Sequence, residues 1–383
     1  MRILLWGTYD TGKPRIRILR NGLREMPGVE LQEIHASVWE GIEDKSQIAE
    51  FGHRIRLLSR WLLAYPRLVY RLARAPRPDV LLISYPGIID IFIAAAIARA
   101  RGIPVAWDVF LSLYDTICED RGLIAPGSLS AKLLRALEKK ALDTADLVFM
   151  DTQAHARRIE RLFDLELGSC GSVWVGVETE HFGGISTSPR ATTADAPMRI
   201  LFYGQFIPLH GVDTIVRAAR LLKNESVEWL IIGRGQVAGQ IRAIIEQEPL
   251  PNLQWLEWVD YGQLKRYLSE ADLCLGIFGA SAKAASVIPN KVFQILAAQR
   301  PLITRDSPAI RELLSDSPPD TYLVPPDDPV ALSRSVLEHL QSRKAETSPR
   351  KSLSARFDKI AVARQFLDLI GRIHSSEQKI SAR

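Results

Sequence analysis

Cysteine is scarce in this chain of 383 residues: Cys118, Cys170 and Cys274 stand too far apart for a disulfide framework or a metal-ligand spacing. That excludes a stapled secreted scaffold and fits a reducing compartment, so a cytoplasmic location is expected. No basic n-region followed by an apolar run opens the sequence, because RILLWG at residue 2 reads directly as a buried strand. Long hydrophobic runs are missing too. The longest, Gly87 to Ala98, is too short to span a bilayer and carries Asp90. Acids are missing locally: between Arg54 and Arg77 lie seven arginines and no Asp or Glu.

What is present suits two packed domains, with 47% hydrophobic residues and a formal net charge of +5. Short apolar runs (RILLWG at 2, DVLLIS at 79, PVAWDVF at 104, DLVFMD at 146, SVWVGV at 172) alternate with longer helical patterns, the signature of βαβ units. One such pattern, Ser128 to Thr144, repeats Leu129, Leu133, Leu134, Leu137 and Leu142 with a helical period and predicts a core-facing stripe. From Gly183 to Pro197 the composition turns to Gly, Ser, Thr, Ala and Pro, which predicts a linker. A second α/β series follows (MRILFYG at 198, EWLIIG at 228, LQWLEWV at 253, DLCLGIF at 272, RPLIT at 300, TYLVPP at 321), and a helix from about Ala355 to Ile373 closes the chain. The expected division is 1–183, a linker at 184–197, a second domain at 198–354, and a terminal segment at 355–383.

Two glycine motifs point to other chemistries. Gly7-Thr-Tyr-Asp-Thr-Gly12-Lys13 nearly matches a P-loop, but Pro14 occupies the position whose hydroxyl would hold magnesium. The loop could still offer backbone N–H groups to a phosphate, or serve only as a tight turn. Gly233-Arg-Gly235-Gln-Val-Ala238 fits a dinucleotide fingerprint, with Glu257 downstream, yet it follows the second strand of its domain rather than the first.

Several segments, taken in order, resemble retaining family 4 glycosyltransferases of the GT-B fold. Val175-Gly-Val-Glu-Thr-Glu-His-Phe182 is similar to the N-G-V-D-x-x-x-F crossover, and Ile200 to Val212 (ILFYGQFIPLHGV) to the strand and loop G-R-x-x-x-x-K-G. Here Gln205 and His210 replace the usual Arg and Lys, so two fixed positive charges are missing. WLIIGRGQ at 229, LEWV at 256 and LKRYLSEAD at 264 keep the family order. Ile277 to Leu296 is similar to the nucleotide-sugar loop, with Pro289-Asn290-Lys291-Val292-Phe293 opening a helix. Gln294 stands where a ribose-gripping Glu is common. Arg356-Phe357 and the terminal helix resemble the segment that braces the first domain.

The resemblance implies two Rossmann-like, doubly wound α/β domains facing a central cleft. It implies a transferase that uses a nucleotide-sugar as co-substrate, with no other cofactor and no metal. It places Gly12, Lys13, Gly204, Gln205, His210, Gly233, Trp258, Val259, Asn290, Lys291, Val292 and Gln294 at the donor. A free helix N-terminus and the Lys291 charge would meet the diphosphate, with Asn290 as N-cap. Trp258 and Val259 would approach the base, or Trp258 would be a core aromatic. Asp108, with Asp115 as fallback, would orient a saccharide or lipid-linked acceptor. The chain has no Asp-x-Asp motif; Asp164-Leu-Glu166 comes nearest. The arginine-rich stretch 53–77 reads as a basic amphipathic helix interrupted by Pro66, suited either to an anionic membrane on its inner face or to ordinary packing. A nucleotide-sugar epimerase of the same fold is the nearest alternative. A basic nucleic-acid-binding protein would draw on the pI of about 9.1; two complete α/β halves, with no aromatic-basic sheet, stand against it.

Overall fold

The computed structural model describes residues 1–40, 51–183, 196–315, 318–342 and 353–381, with backbone only at 51–58, 261 and 372–381. Most of the expected linker, 184–195, lies outside the described residues. The chain divides into two compact units, Met1–Gly176 with Lys359–Arg383, and Val177–Asp358.

The first unit holds a six-stranded parallel sheet. Its strands are β1 (Arg2–Gly7), β2 (Glu30–His35), β3 (Val80–Ile83), β4 (Val105–Asp108), β5 (Leu147–Met150) and β6 (Cys170–Ser172), in the order β2-β1-β3-β4-β5-β6. The central strands are buried on both faces, which is why they read as unbroken apolar runs. Side chains of alternate strand positions pack on opposite layers. Leu4, Trp6, Leu81 and Ile83 meet the helices Phe51–Arg74, Asp90–Ala100, Leu129–Leu142 and Gln153–Leu162. Ile3, Leu5 and Leu82 meet the helices Pro14–Glu25 and Lys359–Ser381.

That last pair packs closely at Gly22, where an added Cβ would lie 2.0 Å from the Lys359 carbonyl oxygen. Gly22→Ala should therefore push the terminal helix off its seat and cost about 1–3 kcal/mol, read as a lowered denaturant midpoint.

The second unit repeats the plan with β7 (Met198–Tyr203), β8 (Val227–Ile232), β9 (Leu253–Leu256), β10 (Leu273–Leu275), β11 (Leu302–Arg305) and β12 (Thr321–Val324). The order β12-β11-β10-β7-β8-β9, all parallel, is the dinucleotide-fold order, and it reverses between β7 and β10. The carboxyl ends of those two strands therefore mark the topological switch point of the sheet.

Three local expectations change. The helix Phe51–Arg74 runs through Pro66 without interruption. SVWVGV is mostly not strand: β6 ends at Ser172. The leucines of Leu129–Leu142 do not form one core stripe: Leu129, Leu133 and Leu137 are exposed, while Ala131, Glu138, Ala141 and Leu142 face inward.

Candidate active site

The second unit gathers its candidate residues at the carboxyl ends of β7 and β8. β7 runs out at Tyr203 into Gly204, and the following loop turns back so that the His210 Nδ1–H donates to the Gln205 carbonyl. Backbone bonds from Phe278 N to His210 O (3.0 Å) and from Gly279 N to Leu209 O (3.2 Å) lock this loop to the one leaving β10. Gly211 permits the lock: its φ is +61°, and an added Cβ would sit 2.6 Å from Gly279 N. Gly211→Ala should spread the two loops and move His210. The expected cost is about 1–3 kcal/mol of stability, read as a lowered melting temperature.

Lys291 enters the same place from the helix Asn290–Ala297. Its Nζ is buried, has no hydrogen-bond partner among the described residues, and lies 3.8 Å from the centroid of the Phe202 ring. A Cβ on Gly204 would stand 3.0 Å from that nitrogen and 3.1 Å from His210 Cε1. Glycine here leaves an opening that any side chain would fill. Burial pushes the Lys291 ammonium well below its ordinary range, and no carboxylate counters it. A buried amine without a hydrogen-bond partner among the described residues, beside a glycine gap at a topological switch point, is suited to an anion that would keep it protonated.

Around this centre, Gly233 closes on β7, since a Cβ there would lie 2.0 Å from the Gly204 carbonyl. Next to it Arg234 stacks over Trp258 at 5.1 Å. Trp258 is 59% exposed, so it is not a core aromatic. Val259 beside it is half-buried and Gln205 is exposed. Gln294 is buried, and its amide oxygen accepts the Tyr203 hydroxyl at 2.9 Å.

Two expectations on this helix are corrected. Pro289, not Asn290, is the N-cap; Asn290 is the first helical residue and no side chain caps the turn. Val292 is fully buried and its N–H donates to the Pro289 carbonyl at 2.9 Å, so it offers neither side chain nor amide to a ligand.

Gly12 and Lys13 belong to the first unit. Gly12 is exposed and its N–H donates to Asp10 at 2.9 Å; Lys13 is half-buried just before the helix Pro14–Glu25. The two aspartates are also corrected. Asp108, at the end of β4, is wholly enclosed: Arg15 Nε donates to both its oxygens, at 2.8 and 2.9 Å. Burial pushes its carboxyl up, against the pull of Arg15. Asp115 is equally buried, held by Arg158 Nε at 3.0 Å and Nη2 at 2.5 Å, with His155 Nε2 3.9 Å away. Neither carboxylate presents an oxygen to an acceptor.

Sequence reasoning passed over Arg15, Phe202, Tyr203 and Arg234. Arg234 alone had a local signal, lying between the two glycines of GRG; the others are defined by partners 88 or more residues away.

Two units, each built on a six-stranded parallel sheet with helices, define the fold as GT-B. Residues 197–342 match the family model described as glycosyl transferases group 1, and residues 40–166 match the glycosyl transferase 4-like domain. The chain is a glycosyltransferase of GT-B architecture. It is 26% identical over 171 residues to a protein of Escherichia coli (strain K12) named as a colanic acid biosynthesis glycosyl transferase, WcaI; the match covers 44% of this chain and 42% of that one, so it spans less than half the relative's length. It is 26% identical over 311 residues to a protein of Pseudomonas aeruginosa named as the glycosyltransferase WbjE, covering 75% of this chain and 73% of that one. Among solved structures, Anabaena Alr3699/HepE in complex with UDP superposes with a TM-score of 0.63 at 11% identity, covering 97% of this chain and 100% of that one. Among the described residues no helix is long and apolar enough to cross a membrane.

Proposed function

We propose that the protein moves a sugar from a nucleoside-diphosphate sugar to a saccharide or lipid-linked saccharide, with retention of configuration and without a metal ion, in the cytoplasmic assembly of a cell-surface polysaccharide or glycolipid. The buried Lys291 amine beside Gly204, without a hydrogen-bond partner among the described residues, carries this reading. A diphosphate placed there would supply the missing counter-charge, restore the lysine's proton and draw on the start of the helix Asn290–Ala297. The same groups would oppose the charge that grows on the leaving diphosphate.

His210, whose Nδ1–H is fixed on the Gln205 carbonyl, stands beside the same opening. Gln294, whose amide oxygen accepts the Tyr203 hydroxyl at 2.9 Å, is assigned to the ribose. The exposed Trp258 face, backed by Arg234, is assigned to the base. Both curated relatives and both family models carry transferase descriptions, which favours transfer over epimerisation. Contact of residues 53–77 with an anionic membrane belongs to the same reading, as the means of reaching a lipid-linked acceptor.

A thermal-shift panel of nucleotide-sugars is the test, because a bound donor stabilises the native state by mass action. One donor should raise the melting temperature, and turnover with it should persist in EDTA. A panel without any shift would remove the basis of the proposal. Trp258→Ala should weaken the active donor by the worth of one stacked base, about 1–3 kcal/mol, with little change in the fold's own stability.

A further inference from the structure

β11 is buried at every position, yet it ends in a charged residue. Its sequence is LITR, and Arg305 is 6% exposed. The guanidinium folds onto the segment that leaves β10. Nη1 donates to the carbonyls of Gly279 and Ser281, the latter at 3.4 Å, and Nε donates to the Asp306 carbonyl at 3.4 Å. Nη2 makes no hydrogen bond among the described residues. Asp306, the next residue along, is committed elsewhere: its two oxygens accept Arg311 Nε at 2.6 Å and Nη2 at 2.5 Å.

Bracing a loop does not require such a residue. A neutral amide satisfies a carbonyl at a smaller desolvation cost than a buried guanidinium, and a buried charge is best retained where an opposite charge meets it. The place suits a ligand anion. Gly279, which Arg305 holds, donates its N–H to Leu209, and Phe278 donates to His210, beside the Gly204 gap that Lys291 flanks. β7, β10 and β11 are neighbours in one parallel sheet, so their carboxyl ends bring this loop, Gly279 and Arg305 to the same end of it.

The loop after β7 supplies no permanent cation, its polar side chains being Gln205 and His210. Burial holds the Lys291 pKa down until an anion arrives. Burial also lowers that of Arg305, against the pull of Asp306, but a guanidinium keeps its proton. We infer that Arg305 is a second diphosphate-binding cation, whose Nη2 takes a phosphate oxygen of the donor and whose fixed charge draws the anion to the Gly204 gap. The inference rests on the reading of that gap as the diphosphate's seat.

The experiment measures affinities of the full chain for the mono- and diphosphates of uridine, guanosine and thymidine, alongside melting temperatures and the nucleotide-sugar panel. The wild type should prefer one diphosphate over its monophosphate by about ten-fold or more. Arg305→Gln, whose amide can still donate to the Gly279 carbonyl, should keep its melting temperature and monophosphate affinity while diphosphate affinity falls about 10- to 100-fold. Arg305→Lys, which keeps the charge but not Nη2, should lie between. A diphosphate preference unchanged in either variant overturns the inference, and the lysine variant alone decides should glutamine cost the fold. So does an equal loss of mono- and diphosphate affinity, because Arg305 then only braces the loop. A wild type that responds to no nucleotide or nucleotide-sugar defeats the transferase reading as well. If Lys291→Met loses the diphosphate response while Arg305→Gln keeps it, this inference alone fails.

Discussion

Lys291→Met is expected to raise the melting temperature of the donor-free protein and to abolish its response to nucleotide-sugar. The two effects have one cause. In the donor-free protein the lysine nitrogen is buried without a hydrogen-bond partner among the described residues, a defect that costs about 1–3 kcal/mol. Methionine keeps the length of the stem and its contact with Phe202 while removing the defect. For a unit of this size the gain corresponds to roughly 2–12 °C. With donor present the balance reverses: losing one partner of a buried charge pair costs about 2–5 kcal/mol, or roughly 30-fold to several thousand-fold in affinity.

The pH dependence follows from the lowered lysine pKa. Between the folded value and the ordinary lysine value, the unfolded chain holds a proton that the native chain lacks. Stability of the donor-free protein should thus rise as pH is raised through that window, and stay flat at its lower level below it. The methionine variant should lose this slope. Donor binding, by drawing the ammonium's pKa back up, should take up a proton, visible by calorimetry in buffers of different ionisation enthalpy. Should the variant keep its full donor response, the diphosphate lies elsewhere.

How much of this could be read beforehand depends on how local the determinant is. Doubly buried strands such as VLLI and LVFM announce themselves because no alternation with polar residues interrupts them. The edge strand ELQEIH was not read, since it is mostly half-exposed and its composition resembles a loop. In Leu129–Leu142 the period was legible but its direction was not. Two helical stripes coexist there, and the one carrying Ala131, Glu138, Ala141 and Leu142 is the inward one. The helix at Asn290 was legible from Pro289, yet its cap was not, because Pro289 itself is the flanking cap residue and Asn290 starts the helix. Lys291 was named for its charge, while its burial depends on Phe202 and Gly204, far away in sequence. Spacing along a helix carries no trace of that.

Asp108→Ala is expected to destabilise the first unit rather than to silence chemistry. The carboxylate lies at the end of β4 with no exposed surface, and Arg15 meets it from the helix Pro14–Glu25. The guanidinium is otherwise saturated: Nη1 donates to the Val173 carbonyl at 2.7 Å, and the group stacks near Phe110 and Phe149. Removing the aspartate leaves a buried cation without its counter-charge, at a cost of about 3–5 kcal/mol. For a unit of this size that is a fall of roughly 6–20 °C in melting temperature. Arg15→Met should cost a comparable amount by stranding the carboxylate. The double variant Arg15→Met with Asp108→Leu should recover most of the loss, because two apolar side chains need no counter-charge there. An acceptor-orienting carboxylate behaves differently: Asp108→Asn would keep the fold and its melting temperature while turnover vanished. The enclosure of Asp108 by Arg15 argues for the first outcome, and a thermal melt of the four variants decides between them before any substrate is known.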